Sequence, residues 1–346
     1  AEWDHNYDLK GKKVGVIGTG PSAIGFIPKI ANKVDKLVIF QRTPNWIVPK
    51  PDRKFSSSEK WMFRNIPFIG RLYRFYEYIM AERLYFAFSM KEKKIFNIWE
   101  GIVSRLTTGF KLKSMKSMYL LGQKMLLDEQ ISEESLKKKL TPDYPVGCKR
   151  VIPTNDFYPA LERENVLLET NLISSFTSDS ILTKAGKKHN IDVIIYGTGF
   201  EANIFISPVK ITGLDNKSLE SVWQKGAEAY RGVMVPDFPN FFMCYGPNTN
   251  TGHVSIIFMI EAQIKYIIKC IQHLKGKNLK YIDVKKKSMT EYNDYIQKRL
   301  STTVWAAGCA SWYKTSEGKI INNFPGFGFE YYHMMTKSTF KDIDEK

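Results

Sequence analysis

The stretch Lys12-Lys13-Val14-Gly15-Val16-Ile17-Gly18-Thr19-Gly20-Pro21-Ser22-Ala23 decides how the rest of the chain is read. A basic pair leads into four residues with the character of a buried strand, and the run then breaks at Gly18-x-Gly20-x-x-Ala23. Ile24-Gly25-Phe26-Ile27 continues as an apolar, helix-compatible segment. Strand, glycine turn and helix in this order form the fingerprint of a dinucleotide-binding βαβ unit. Gly18 permits the tight turn, Gly20 lets the backbone approach a pyrophosphate, and Ala23 keeps the helix close to the strand. The helix N-terminus then offers free N–H groups and a positive dipole end to the phosphates.

A glycine pattern alone is weak, so its surroundings carry the reading. Lys36-Leu37-Val38-Ile39-Phe40 has the pattern of a second strand that closes the unit. NAD sites place a carboxylate at the end of that strand for the ribose 2′-hydroxyl. Here the position holds Gln41-Arg42-Thr43. An arginine suits a 2′-phosphate that a carboxylate would repel, so the expected ligand is NADP rather than NAD.

At 346 residues the chain can bury a large core and divide into about two domains. Apolar content of 43% and charged content of 25% are those of an ordinary globular protein. The net charge is +16, and residues 50–140 carry 19 Lys plus Arg against 10 Asp plus Glu, which is +9. Over half of the excess therefore lies in one quarter of the chain, read here as a solvated face with no nucleic-acid partner. Four scattered cysteines (Cys148, Cys244, Cys270, Cys309) form no CxxC, which argues against zinc, a redox dithiol and a disulfide scaffold. A reducing, cytoplasmic setting is the corresponding expectation.

Residues 59–140 have a helical pattern, with Ser56 placed to cap its start and Ile69, Leu72, Tyr73, Tyr76, Ile79 and Met80 at helical spacing. The plain reading is a helical insertion; the alternative is a basic amphipathic surface in peripheral contact with a membrane. After Thr141-Pro142, short apolar runs resume. Asn165-Val166-Leu167-Leu168-Glu169, Asp192-Val193-Ile194-Ile195-Tyr196 and Phe241-Phe242-Met243-Cys244-Tyr245 are expected strands, and a long helix is expected from Ser255 to about Leu274. The fold class is therefore α/β, a Rossmann-type parallel sheet with a helical insertion.

Taken together these segments resemble the class B flavin-containing monooxygenases, most closely the Baeyer–Villiger type, over nearly the whole chain. Asp8-Leu9-x-Gly11-Lys12-x-Val14-x-Val16-Ile17-Gly18-Thr19-Gly20-x-Ser22-Ala23 is similar to that family's second Rossmann motif, for NADPH. The resemblance implies that Gln41, Arg42 and Thr43 meet the 2′-phosphate, that Lys149 assists NADP binding and that Arg150 is catalytic. Residues 192–200 are similar to the family's "ATG" linker, with Gly197 replacing its alanine, and add Gly197, Thr198, Gly199 and Phe200 to the cofactor-binding set. Asn248, in the loop Gly246-Pro247-Asn248-Thr249-Asn250, joins that set. Cys309-Ala310-Ser311-Trp312-Tyr313 followed by Pro325-Gly326 is similar to the C-terminal pattern.

The resemblance further implies FAD as second cofactor and oxygen transfer from O2 to a ketone, sulfide or amine through a C4a-peroxyflavin. It implies an NADP-binding domain over 1–50 and 141–198, an insertion over 51–140, and the C-terminal part of an FAD-binding domain over 199–346. Trp3 fits the last residue of the family fingerprint FxGxxxHxxxW, so the expectation is a chain whose first, FAD-binding Rossmann motif lies upstream of Ala1. The rival is an NADP-binding, membrane-resting fragment without activity. A short-chain dehydrogenase is set aside because Tyr281 and Lys285 lie far from the fingerprint in a strand-like stretch. A serine hydrolase is set aside because Gly20-Pro21-Ser22-Ala23-Ile24 lacks the final glycine of the nucleophile elbow. His253, between Gly252 and Val254, is read as a hydrogen-bonded loop histidine before a catalytic one.

Overall fold

The computed structural model describes residues 3–89, 115–206, 208–309 and 311–346. Residues 90–114 of the expected insertion, and Ala310, lie outside the described residues. In chain order the first elements are β1 (Lys13–Ile17), α1 (Pro21–Ile30), β2 (Lys36–Phe40), β3 (Ile47–Val48), α2 (Ser57–Asn65) and α3 (Ile69–Arg83). Then come α4 (Met115–Gln130), α5 (Glu134–Leu140), β4 (Ile152–Pro153), α6 (Phe157–Leu161) and β5 (Val166–Glu169). β6 (Ile173–Phe176), β7 (Ser180–Thr183), β8 (Lys188–Asn190) and β9 (Val193–Tyr196) follow. The chain closes with α7 (Leu219–Val222), α8 (Ile256–Gly276), β10 (Ile282–Val284), α9 (Lys286–Leu300), α10 (Gly328–Thr336) and β11 (Ile343–Glu345).

The described residues divide into two compact units. The first comprises Ala1–Arg53, Ser117–Val146 and Arg150–Phe200, and the second Lys54–Lys116, Gly147–Lys149 and Glu201–Lys346. The first unit is built on a four-stranded sheet in the order β5-β2-β1-β9, parallel throughout. β1 therefore lies between β2 and β9, with Val14 opposite both Leu37 and Val193. Val14, Val16, Leu37, Val38 and Ile39 are fully buried, as strands covered on both faces require. On one face α1 sets Ala23, Ile24 and Ile27 against Val14, Val16 and Ile39, with Phe157 and Leu161 from α6 in the same core. On the other, Ile181 of β7 and Ile191, just past the end of β8 in the β6-β7-β8 antiparallel sheet, cover Val38 and Phe40.

The second unit is mainly helical. Met259, Ala262, Tyr266 and Cys270 of α8 share a core with Tyr292, Ile296 and Leu300 of α9 and with Tyr331 and Met335 of α10. Inside it, Gln263 accepts from the Tyr245 N–H at 2.9 Å and donates to the Tyr331 hydroxyl at 2.9 Å, so its buried amide is satisfied at both ends. Ser56 closes a capping box with Glu59 at the start of α2, as the sequence predicts, and Ser255 caps α8, whose start falls where the sequence puts it.

One expected strand is absent. Phe241–Tyr245 forms no strand among the described residues, because the segment is bracketed by Asn240 and Tyr245 with φ of 59° and 57°. Left-handed residues at both ends turn the chain too sharply for a ladder to form. Its Phe241 and Met243 instead join a small core with Leu219, Val235 and Phe238.

Candidate nucleotide-binding site

The site of the first unit is made where β1, β2 and β9 end together. Gly18 leaves β1 with φ of 101° and its N–H donates to Phe40 O at 3.0 Å, tying the turn to the end of β2. A Cβ on Gly18 would stand 2.5 Å from Gly197 O, so no other residue fits. Gly197 continues β9, with its N–H on Ile17 O at 2.8 Å. The two glycines thus let the β1 and β9 exits cross at backbone contact. This is the switch point of a doubly wound sheet, where nucleotides bind.

Gly20 is the N-cap residue of α1, in extended conformation, and no side chain caps the helix there. No acidic residue occupies the first turn, while Lys29 lies in the last, so the dipole is left to an external anion at one end and compensated at the other. Pro21 starts the helix and Ser22 is exposed beside it. Thr19 is buried, and its carbonyl and hydroxyl oxygens both accept from Asn45 Nδ2, at 2.6 and 3.3 Å. The turn is therefore braced from the far side of β2.

Arg42 is exposed just past β2, and among the described residues no carboxylate pairs with it. Gln41 is different. It is buried, and its side chain donates to Lys139 O at 2.9 Å, anchoring the end of α5. Thr43 is half-buried, and Thr198, Gly199 and Phe200 are exposed after β9, Gly199 with φ of 101°. Fingerprint, Arg42 and the Gly197 turn are brought together. Arg150 is exposed in this unit, whereas Lys149 and Asn248 belong to the second. Asn248 is buried and its amide nitrogen donates to Ile320 O and Asn323 O at 2.9 and 3.1 Å, which makes it a brace between loops.

Two buried ionisable clusters join residues that the sequence reading did not pair. In the first unit Glu169 Oε2 lies 2.9 Å from His189 Nε2, both groups buried. Burial works to raise the Glu169 carboxyl; the Asn171 N–H and amide, His189 and Lys187 outweigh it and hold the group at about 2. In the second unit Glu82 accepts from the Gly328 and Phe329 N–H groups at 3.1 and 2.9 Å, capping α10 from 246 residues away in the chain. His253 is buried beside it, with Nε2 at 3.5 Å from Glu82 Oε2. Burial opposes ionisation of Glu82, and His253, Tyr78 and the Phe329 N–H outweigh it, keeping the carboxyl below its ordinary range. The only sequence signals were an acid inside an apolar helix and a histidine between glycine and valine. Neither reveals its partner.

The cysteines also depart from expectation. Cys148 and Cys309 are joined in a disulfide, Cα to Cα 6.4 Å, although 161 residues separate them. Spacing rules see pairs close in sequence, and this pair is made by the folding of the second unit. Among the described residues no group of three metal-binding side chains occurs, and no helix is long and apolar enough to cross a membrane.

No family model matches the chain. Curated relatives do. A Baeyer–Villiger monooxygenase of Pseudomonas aeruginosa is 39% identical over 332 residues, which is 95% of this chain and 59% of that protein. An FAD-binding monooxygenase, ktnD, of Aspergillus niger is 35% identical over 99% of this chain and 54% of its own length. The chain thus spans between half and three fifths of these relatives. Among solved structures, closed cyclohexanone monooxygenase superposes with a TM-score of 0.79 at 21% identity, covering 99% of this chain and 68% of that one. The structure of OTEMO in complex with FAD and NADP gives 0.77 at 24% identity, with the same coverage. At these identities the structures establish the fold. Along almost its entire length the chain is similar in sequence to Baeyer–Villiger-type monooxygenases, and in fold to solved monooxygenases of that kind.

Proposed function

We propose that the chain serves an FAD- and NADPH-dependent monooxygenase that delivers one oxygen atom of O2 to a ketone, or to a sulfur or nitrogen nucleophile. The observation that carries this reading is the uncapped start of α1 at the Gly18–Gly197 crossing, with unpaired Arg42 at the end of β2. These residues fit NADP: backbone N–H groups for the pyrophosphate and a guanidinium for the 2′-phosphate. FAD needs a strand–glycine turn–helix unit of its own. The sequence holds one such turn that opens a helix, so the residues described provide no cradle for the flavin pyrophosphate, and no step is derived through it. The assignment of 199–346 to the FAD-binding side is supported by likeness to the FAD-binding relatives alone.

When bound, NADPH supplies a hydride, and the flavin carries the chemistry of oxygen. The protein's part is binding and orientation. Arg42, always charged and planar, would hold the 2′-phosphate of NADP. Arg150 is the proposed catalytic residue: its guanidinium, always charged, would supply a fixed positive charge to the oxygen chemistry of a bound flavin. Calorimetry should show NADPH binding at least about tenfold more tightly than NADH, the worth of one charge-assisted contact. Arg42→Ala should abolish the difference. Equal affinities in the folded wild type overturn the reading.

A second reading concerns peripheral membrane contact. Trp61, Phe68, Leu72 and Phe75 are each 60–67% exposed on α2, α3 and their connection. Lys60, Arg64, Arg71 and Arg74 lie among them, with no carboxylate between Lys60 and Tyr76. Exposed apolar groups framed by cations fit an anionic bilayer surface. Flotation with vesicles containing phosphatidylserine, weakened by Phe68→Ser and by salt, is the expected result; indifference to both would dispose of it.

A further inference from the structure

We propose that α8 of the second unit docks against α8 of a second copy of this chain, the two helices antiparallel about a two-fold axis through Ile268. The helix sequence carries the first half of the argument. Ile257, Ile264 and Ile271 recur every seven residues, and Ile260, Ile267 and Leu274 recur with them three residues on. A seam of this kind is the signature of paired helices. One side of it serves the helix's own unit, where Ile267 and Leu274 pack on the core around Met259, Tyr266 and Cys270. The other side faces outward: Ile257, Ile264, Ile268 and Ile271 are 42–63% exposed.

The charges on that outer side select the occupant. At about 100° per residue, Ile257, Glu261, Ile264, Ile268, Ile271 and Lys275 fall within about 80° of arc. Glu261 stands seven residues before Ile268 and Lys275 seven residues after it, and both are exposed. An antiparallel two-fold at Ile268 therefore sets each Glu261 opposite the partner's Lys275, twice per dimer. At about 1.5 Å of rise per residue, Ile264 lies about 6 Å along the helix from the axis and Ile271 about 4.5 Å on the other side. Each Ile264 thus packs beside the partner's Ile271, while Ile268 meets its own copy. Opposite charges at the two ends with apolar groups between them make a self-complementary surface, as an isologous contact requires.

The neighbouring groups support this arrangement. Glu261 is held by Arg74 of α3 through two contacts at 3.1 Å, and Lys265 is drawn aside to the Tyr332 hydroxyl at 3.0 Å. Glu261 and Lys275 are then the charges of α8 that lie on the stripe. A parallel pairing would set Glu261 against its own copy, and an anionic bilayer would repel it. Isoleucine side chains are stiff at χ1 and lose little freedom on docking. A standard interface draws on about 20–30 residues a side, more than one helix stripe offers, so the dimer is expected to be micromolar and concentration-dependent. The net charge of +16 on each chain opposes association at long range, and salt at about 0.15 M screens it beyond about 8 Å.

Sedimentation velocity of the whole chain in that salt, from about 1 to 100 μM, should show monomer giving way to dimer. Ile268→Glu should remain monomeric with an unchanged thermal midpoint. Lys275→Glu and Glu261→Lys each place like charges opposite one another and should weaken dimerisation at least about tenfold. An equimolar mixture of these two variants should associate with wild-type affinity as a heterodimer, because each meets the opposite charge in the other. Native mass spectrometry identifies that species. Wild type that stays monomeric throughout the range overturns the proposal, as does a dimer that survives Ile268→Glu or a mixture no tighter than its components. Monomeric wild type that floats with phosphatidylserine vesicles, and loses this with Ile268→Glu, would give the stripe to lipid and overturn the dimer.

Discussion

Replacing Gly197 by alanine tests whether the crossing of β1 and β9 is set by side-chain volume. A Cβ at residue 197 would lie 3.0 Å from Ala23 Cβ and 3.3 Å from both Gly18 O and Ile17 O. Ala23 is fully buried and shares its core with Ile27 and Val14, so it has no free volume to retreat into. Overpacking of this kind costs about 1–3 kcal/mol. Against it stands a gain of about 0.4–1 kcal/mol from a stiffer unfolded chain, because Gly197 does not need positive φ. The net expectation is a loss of about 1 kcal/mol. Ala23→Gly alone should also cost about 1 kcal/mol through helix propensity. Combined, the two should cost clearly less than their sum, since the second change removes the methyl that the first one meets. Urea titration of the four proteins closes the cycle, and a coupling of about 1 kcal/mol is expected. Additivity within about 0.3 kcal/mol would refute the argument. The same reasoning accounts for glycine at this position: the room for a methyl is taken by Ala23. Gly197→Ala should also weaken NADPH binding by displacing the Gly18 turn, with recovery in the double variant.

Glu169 gives the chain an acid-sensitive element. Its carboxyl sits at about 2 when folded, below the ordinary ~4.3. The contribution is therefore complete above roughly pH 5 and lost as pH falls toward 2, about 3 kcal/mol in all. Urea midpoints across that range should fall more steeply for wild type than for Glu169→Gln, and parallel curves would contradict the assignment. Glu82→Ala should strand the Gly328 and Phe329 N–H groups in the interior and cost about 3–5 kcal/mol, with Glu82→Gln recovering part of it. Thermal melts of both variants decide this, and equal losses would show that the carboxylate is not the cap.

What could be read in the sequence was local. β1, β2 and α1 follow from a strand pattern, a glycine turn and an apolar face within 30 residues, and their bounds fall where the pattern puts them. Ser56 announced its helix through a cap chemistry that acts over three residues. Phe241–Tyr245 misled because its apolar run matches a buried strand, and the left-handed turns at Asn240 and Tyr245 carry no glycine to mark them. In the candidate site, the turn at Gly18 and Gly20 was legible because its backbone geometry needs glycine. Gln41 was not, since its amide serves Lys139, 98 residues on. Glu82, His253, Glu169, His189 and the Cys148–Cys309 bridge share that distance: each is a partnership only the completed fold creates.

The position of β1 between β2 and β9 has a consequence for synthesis. Its pairing with β2 is available once residue 40 has emerged, but its other edge waits for Val193. At ribosomal speeds of about 5–20 residues per second, 153 residues take roughly 8–30 s. For that interval a nascent half-sheet presents an apolar, unpaired margin to the cell, which makes this chain a natural client of whatever shields such margins cotranslationally.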